Sequence, residues 1–506
     1  MTRLPRFVAS AAVVTGCVCV VGAQTMSRVG QEHAIDRHLK DGEEFAMPIA
    51  DLVEHGRRLF VANWTAEDGA GRPRTTGAGR PIAAHALALD ADRAFNRVSG
   101  PDANSCLGCH NRPSGLAGGA GDIVSVSFEA APRFEFVTFD RGDARRAGGS
   151  VDEAAREVTL ATVGNPRATP SLWGAGYVEM LARQMTADLR RIRDTIAPGQ
   201  SKPLVSKGVS FGTLARRADG AWITKDVDGL PPQSLRTAGA DAKPSLVIRP
   251  WQRSGTAVSL RELTNTSLNQ HFGIQTTERF GVNSDPDGDG VANEMTKGDV
   301  TALVAFLATL PVPSRVVSTD PAVARAAASG ERLFDAVHCT RCHVPALALD
   351  RAGWTYSEPG PYNGAGNLRR GEARLLTIDL TSAALPQPRL APEADQPSII
   401  RVPVYTDFKL HDITDPADAA AKEPIDMNQP AGSAAFLAGN RRFLTRRLWG
   451  IASEPAHFHD GLLTTLRESV LAHDGEARAE RKAFEQLAAG DQGAVIEFLK
   501  SLQMVR

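Results

Sequence analysis

Two short stretches constrain this chain more than anything else in it. Cys106-Leu107-Gly108-Cys109-His110 and Cys339-Thr340-Arg341-Cys342-His343 share one pattern, Cys-x-x-Cys-His. That pattern is the attachment signature of a c-type haem. The two thiols add across the porphyrin vinyl groups, and the next residue swings its imidazole under the ring to bind iron. Two residues between the cysteines match the separation of the vinyls. The rival reading is a zinc site built from two Cys-x-x-Cys halves. Four thiols with a histidine trailing each pair make an odd zinc framework, so two covalent haems are expected.

Cysteine usage agrees. Of the six cysteines, four are consumed by the motifs and the others, Cys17 and Cys19, lie near the N-terminus. No disulfide framework is left for the body of the chain. Charge is nearly balanced, with 57 Lys plus Arg against 58 Asp plus Glu. Nothing in it points to nucleic acid or an acidic membrane surface. Residues 1–23 read as a signal peptide: Arg3 and Arg6 make a basic start, 7–21 is apolar, and Val21-Gly22-Ala23 offers a small-residue cleavage site. A second reading of the same run is a lipoprotein signal, Val14-Thr15-Gly16-Cys17, with Cys17 acylated. Either exports the chain to the periplasm, where covalent haem is normally attached. No other stretch reaches the apolar length of a transmembrane helix.

After a polar leader (24–46), the two halves of the chain resemble each other. Gly56-Arg57-Arg58-Leu59-Phe60, in a helically spaced apolar segment, recurs as Gly330-Glu331-Arg332-Leu333-Phe334. Leu172-Trp173-Gly174 recurs as Leu448-Trp449-Gly450, and Leu260-Arg261-Glu262 as Leu466-Arg467-Glu468. The apolar helix expected at 299–310 recurs at 491–502. Markers repeated in the same order read as an internal duplication. The expected fold is mainly α: two cytochrome c-like haem domains, 47–313 and 314–506, joined at Pro311-Val312-Pro313-Ser314. Small β-hairpins and loops are expected as insertions in the first. They comprise a Gly-, Pro- and Arg-rich loop before Cys106, a hairpin of 124–128 with 134–139, and another about Asp219-Gly220. A long helix is expected over 177–192.

The second axial ligand of each haem is sought among few candidates. His473 follows Leu466 by seven residues, and His271 follows Leu260 by eleven. The difference is about one helical turn, so both imidazoles could leave the same helix face. Met180, Met185 and Met295 are rivals for the first haem and Met427 for the second. Asp285, Asp287 and Asp289 alternate as hard oxygen ligands do in a calcium loop, although position twelve is Thr296 rather than Glu. The competing reading is a solvated acidic turn. Trp173 and Trp449, at duplicated positions, are candidates for an electron path or simply for core packing.

The runs Leu410-His411-Asp412, Leu448-Trp449-Gly450, Phe458-His459-Asp460-Gly461, Thr465-Leu466-Arg467-Glu468 and His473-Asp474-Gly475-Glu476-Ala477 carry a resemblance. The chain resembles the bacterial di-haem cytochrome c peroxidase superfamily, most closely its di-haem oxidoreductase ("thiol oxidoreductase") branch. The likeness spans nearly the whole mature chain and is most specific in the last hundred residues. It implies that electrons from a small periplasmic cytochrome or copper protein enter at the C-terminal haem, with His343 proximal. They would pass to the N-terminal haem, with His110 proximal, where hydrogen peroxide is reduced. His473 falls where such peroxidases place a distal Met, which implies a bis-His haem of lower potential. Such peroxidases also carry a distal His soon after the first motif, whereas here no His occurs between His110 and His271. If His271 caps the first haem and withdraws, Gln275 and Glu278 are the nearby side chains for proton delivery. Two other readings stay open: an electron relay without catalysis, and a rubber-oxygenase-like di-haem oxygenase acting on an organic substrate.

Covalent attachment has a direct check. Denatured protein is expected to retain two haems in a pyridine haemochrome assay, and one after Cys106→Ser or Cys339→Ser. Haem extracted from the wild type by acid-acetone would rule it out.

Overall fold

The computed structural model describes residues 29–70, 103–113, 115–121, 124–127, 150–151, 157–158, 165–237, 242–285, 289–418, 421–423, 426–429 and 433–504. Outside them lie the expected signal peptide with Cys17, most of the loop ahead of Cys106, the expected strand at 134–139, and Asp287.

The helices that carry the architecture are α1 (Ile49–Val61), α2 (Ala175–Asp194), α3 (Leu260–Ser267), α4 (Lys297–Ala308), α5 (Pro321–Ala336), α6 (Leu466–Leu471) and α7 (Ala489–Lys500). Helix α1 buries Leu52, Gly56, Leu59 and Phe60, one stripe of an amphipathic helix. Helix α4 is buried along nearly its whole length, as its unbroken apolar run requires. Thr296 starts it with a capping box: its hydroxyl accepts the Asp299 N–H, and the Asp299 carboxylate accepts the Thr296 N–H. The same carboxylate holds His38 Nδ1 at 2.7 Å and His55 Nε2 at 2.8 Å, docking the ordered end of the leader.

Helices α1 and α4 cross at Gly56, and α5 and α7 cross at Gly330. A Cβ at Gly56 would stand 2.0 Å from the Ala302 carbonyl oxygen, and one at Gly330 1.8 Å from that of Ala494. One turn on, Phe60 meets Phe306 with ring centroids 5.2 Å apart, and Phe334 meets Phe498 at 5.4 Å. The same two contacts therefore occur in each half, with the Phe pair four residues beyond the crossing on both helices.

The insertions differ from expectation in two ways. Residues 347–402 of the second half also form an insertion, made of ribbons pairing Leu347–Asp350 with Ile399–Val402 and Thr355–Glu358 with Leu376–Asp379. They pack on α2 of the first half: Leu349, Ile378, Leu380 and Ile400 share one apolar core with Tyr177, Leu181 and Met185. The Tyr177 hydroxyl donates to the Leu380 carbonyl at 2.8 Å. Loop composition marked the first-half insertion, but these short alternating segments carry no such mark. The second difference is a strand partner. Val124–Ser127 pairs with Asn165–Ala168, and the expected partner 134–139 lies outside the described residues. Alternation identifies a strand without identifying its neighbour. The other hairpin does pair Val209–Arg216 with Trp222–Ile223, turning at Gly220, whose φ is +90°. No helix among the described residues is long and apolar enough to cross a membrane.

Ala at a helix interior usually stabilises by about 0.5–1 kcal/mol over Gly. At Gly330 the new methyl would strike backbone, which no rotamer change relieves, and overpacking costs about 1–3 kcal/mol. The clash wins. Gly330→Ala is expected to lose about 1 kcal/mol net in denaturant unfolding, and unchanged or raised stability would refute the close crossing.

Candidate functional site

Both Cys-x-x-Cys-His motifs open into one continuous cavity between the halves, walled by Cys106, Cys109 and His110 on one side and Cys339, Cys342 and His343 on the other. Each motif is a single tight turn, closed by a backbone bond from the His N–H to the first Cys carbonyl: 2.8 Å for His110 and 3.0 Å for His343. Burial pushes the Cys106 and Cys339 thiols up to about 12, so they sit as neutral groups in an apolar wall.

Three imidazoles in this cavity are aimed by backbone. His110 Nδ1 lies 3.1 Å from the Gly119 carbonyl, His343 Nδ1 3.1 Å from that of Tyr405, and His473 Nδ1 2.6 Å from that of Ser469. A carbonyl can only accept, so each Nδ1 carries the proton and each Nε2 keeps a lone pair, the form that binds iron. Burial lowers the pKa of all three, that of His343 to about 4, which keeps the rings neutral near pH 7. The glycines after the first motif serve this arrangement. A Cβ on Gly119 would lie 1.9 Å from the Arg112 carbonyl oxygen, and one on Gly121 2.6 Å from that of Cys109. Their role is to fold the loop back on the motif itself.

The His343 and His473 ring centroids are 6.4 Å apart, with planes at 66°. Imidazole–metal bonds of about 2.0–2.1 Å, with a ring nitrogen roughly 1.1 Å from its centroid, put two rings sharing one ion about 6.3 Å apart. The second motif and His473 therefore stand at the spacing an iron between them requires. His271 lies on a π-helical turn, Leu268–Phe272, that continues α3, and it lines the same cavity, as does Gln270. Met180, Met185, Met295 and Met427 do not line it.

Between the two ends the wall is basic. Arg253 is held by Glu423 and by the Pro166 and His459 carbonyls, and Arg446 by Glu454. Arg447 differs. Its Nη2 donates to the Ser171 carbonyl at 3.0 Å, its guanidinium lies 5.2 Å over the Trp251 ring, and its buried Nη1 has no protein partner. Burial draws its pKa down to about 10. A buried cation without a carboxylate is costly, and Trp251 Nε1 beside it is also unpartnered. These orphan donors fit the propionates of a haem. His411 reads differently: Nδ1 donates to Glu476 at 2.7 Å and Nε2 to Asp407 at 2.9 Å. Burial opposes its protonation, but hydrogen bonds to Asp407, Cys342 and Glu476 carry its pKa to about 11. With both nitrogens committed, it offers iron nothing.

Several expected site residues are elsewhere. Glu278 does not line the cavity: its side chain is 2% exposed and paired with Arg261, and it accepts the Leu368 N–H at 2.9 Å. On the turn at Thr277–Phe280, both carboxylate oxygens of Glu278 are engaged by Arg261. Gln275 is buried and likewise absent from the cavity wall. Asp285 and Asp289 sit in an exposed turn. Asp285 accepts the N–H groups of Asp289 and Gly290 at 3.2 and 3.1 Å, and Asp289 that of Val291 at 2.8 Å. These bonds lie within the turn, whose third aspartate, Asp287, is outside the described residues. Trp173 and Trp449 are buried in the core, with Trp449 Nε1 donating to the Pro313 carbonyl. Sequence reading missed Trp251, Arg447 and Gln270, which carry no local motif.

Residues 399–502 match the family model described as "Di-haem oxidoreductase, putative peroxidase". The match contains His411, His459 and His473 and ends short of both cysteine motifs. It bears out the resemblance read from the same residues. No curated protein matches the sequence. Among solved structures, the chain is similar to Kuenenia stuttgartiensis hydrazine synthase at 12% identity. That alignment covers 99% of this chain and 100% of that one, with a TM-score of 0.32. It is also similar to the diheme peroxidase BthA from Burkholderia thailandensis, at 14% identity over 92% and 89% of the two chains, TM-score 0.24.

If His473 shares an iron with His343, His473→Met keeps that haem low-spin and raises its reduction potential, because a thioether favours ferrous iron more than a second imidazole does. Spectroelectrochemistry reads this. An unchanged potential and spectrum would remove His473 from the site.

Proposed function

We propose that this chain is an exported di-haem c-type cytochrome, built from two duplicated halves. It would reduce hydrogen peroxide at the haem on Cys106, Cys109 and His110, with electrons entering at the haem on Cys339, Cys342 and His343. The observation that carries the reading is the 6.4 Å spacing of His343 and His473 in a cavity that also contains His110 and His271. The helix crossings and Phe pairs repeated in both halves support the duplication. The family match supports haem-based redox chemistry, the cysteine motifs suit a periplasmic location, and a small cytochrome or copper protein as donor is what the family resemblance implies.

Haem, when bound, supplies one-electron storage and peroxide O–O cleavage. The residues divide the work around it. His343 and His473 would together hold the haem at the C-terminal end, leaving peroxide no access to it. His110 would hold the haem at the N-terminal end, where His271 would be the removable partner. Reducing peroxide to two waters takes two electrons and two protons. Gln270, Thr264 and Ser267 are the polar side chains in the wall near His271 that can orient it. Arg447 holds propionates and neutralises their charge between the two ends.

If His271 never withdraws, both haems stay six-coordinate and the chain is an electron relay. One variant separates the readings. His271→Gly is expected to leave the N-terminal haem high-spin and to let the oxidised protein react with peroxide without prior reduction. A variant that stays low-spin, together with a half-reduced wild type that ignores peroxide, would end the peroxidase reading.

A further inference from the structure

Arg261 is among the largest side chains buried completely in this fold. It lies on α3, ten residues before His271. Its Nε donates to Glu278 Oε1 and Oε2 at 3.2 and 3.0 Å, and its Nη1 to Thr301 Oγ1 on α4 at 3.1 Å and Glu358 Oε1 at 3.3 Å. Glu278 also accepts from the Asn265 side chain on α3 and from the Leu368 N–H. Glu358 and Leu368 belong to the second half, and Arg183 on α2, paired with Glu179, lies 3.8 Å from Glu358.

The segment bearing His271 is bracketed by this cluster. Arg261 and Asn265 stand before the π-turn, and Glu278 stands just after it. Their pairing ties both ends of the segment together and pins them to the other half of the molecule. Between them the backbone is tied at Gln275, whose N–H donates to Glu294 at 2.7 Å, and at Thr277, whose N–H donates to the Met295 carbonyl at 2.8 Å. The side chains of Asn269, Gln275, Thr276 and Thr277 each leave buried polar atoms without a protein partner, and the π-turn ends at Gly273 with φ +77°. Short π-turns are frequent at functional sites.

We infer that Arg261 and Glu278 are positioning residues for His271, tying its segment to Glu358 and Leu368 so that the imidazole rests over the N-terminal haem. The inference rests on the reading of His271 as that haem's outer ligand. A buried charge that loses its partner is strongly unfavourable, so removing one member frees the end of the segment without touching the cavity wall.

The test compares full-length holoprotein variants by ferric optical and EPR spectra. Glu278→Gln removes one charge. Arg261→Met with Glu278→Leu replaces the pair by apolar groups, a change that buried ion pairs often tolerate, and it decides the matter should Glu278→Gln fail to fold. In folded protein holding two haems, the high-spin signal of the N-terminal haem is expected to rise from a trace to the major part. The spectrum of the His343–His473 haem should not change, and added imidazole should restore low spin. Wild-type spectra in the double variant, beside a high-spin His271→Gly, would overturn the inference alone. A low-spin His271→Gly would overturn the reading beneath it as well.

Discussion

Each half of this molecule hangs on a helix crossing that a side chain would prevent. The Ala302 and Ala494 carbonyl oxygens occupy the space where a Cβ on Gly56 or Gly330 would project. Because the backbones come this close, the phenylalanines one turn on interlock, and Phe60 and Phe334 each reach a motif histidine at 6.2 Å. The ring is then fixed from its other side by the bond from Nδ1 to a backbone carbonyl. One such bond is worth only about 0.5–1.5 kcal/mol. Its larger effect is directional: the orientation of Nε2 comes from main chain rather than from a flexible partner.

Charge is used in two ways inside the fold, and burial energetics tell them apart. Desolvating an ion costs several kcal/mol even after relaxation, so a buried charge needs an opposite one. Glu179, Arg183, Glu358, Arg261 and Glu278 meet that demand among themselves, and they join the two halves. Arg447 makes no ion pair among the described residues: Glu454 acts on it only through its field, and its Nη1 has no protein partner, which leaves that nitrogen for whatever occupies the cavity.

What the sequence made legible was local. The cysteine motifs, the crossing helices and His473 are all read from short fixed offsets, and α4 and α7 each begin two residues before their expected starts, at Lys297 and Ala489. What stayed hidden depends on distant pairing. Glu278 is seven residues from His271 and looked like its proton donor, but Arg261 and Leu368 claim both its oxygens. The partner of Val124–Ser127 lies beyond a long excursion. Residues 347–402 pack on a helix of the other half, which nothing in their own pattern announces. Arg447 became visible only when its missing partner could be seen.

The two histidine-bearing helices show how one scaffold can give unequal sites. Both open with the same cap, Ser259 accepting the Glu262 N–H and Thr465 that of Glu468. In the second half the helix stops at Leu471, and His473 is anchored one turn back on Ser469. The arginine matching Arg261 there is Arg467, half-buried and bonded to Gln492 at 2.6 Å. In the first half the chain runs on through a π-turn, and the matching arginine is sunk in an ion cluster that clasps both ends of the segment. An imidazole held by its own helix has one position. An imidazole carried mid-segment, between tied ends, can occupy its place or leave it while the ends stay put. On the proposed function, that difference in restraint, rather than any difference between the cysteine motifs, would keep one end of the cavity closed and let the other open.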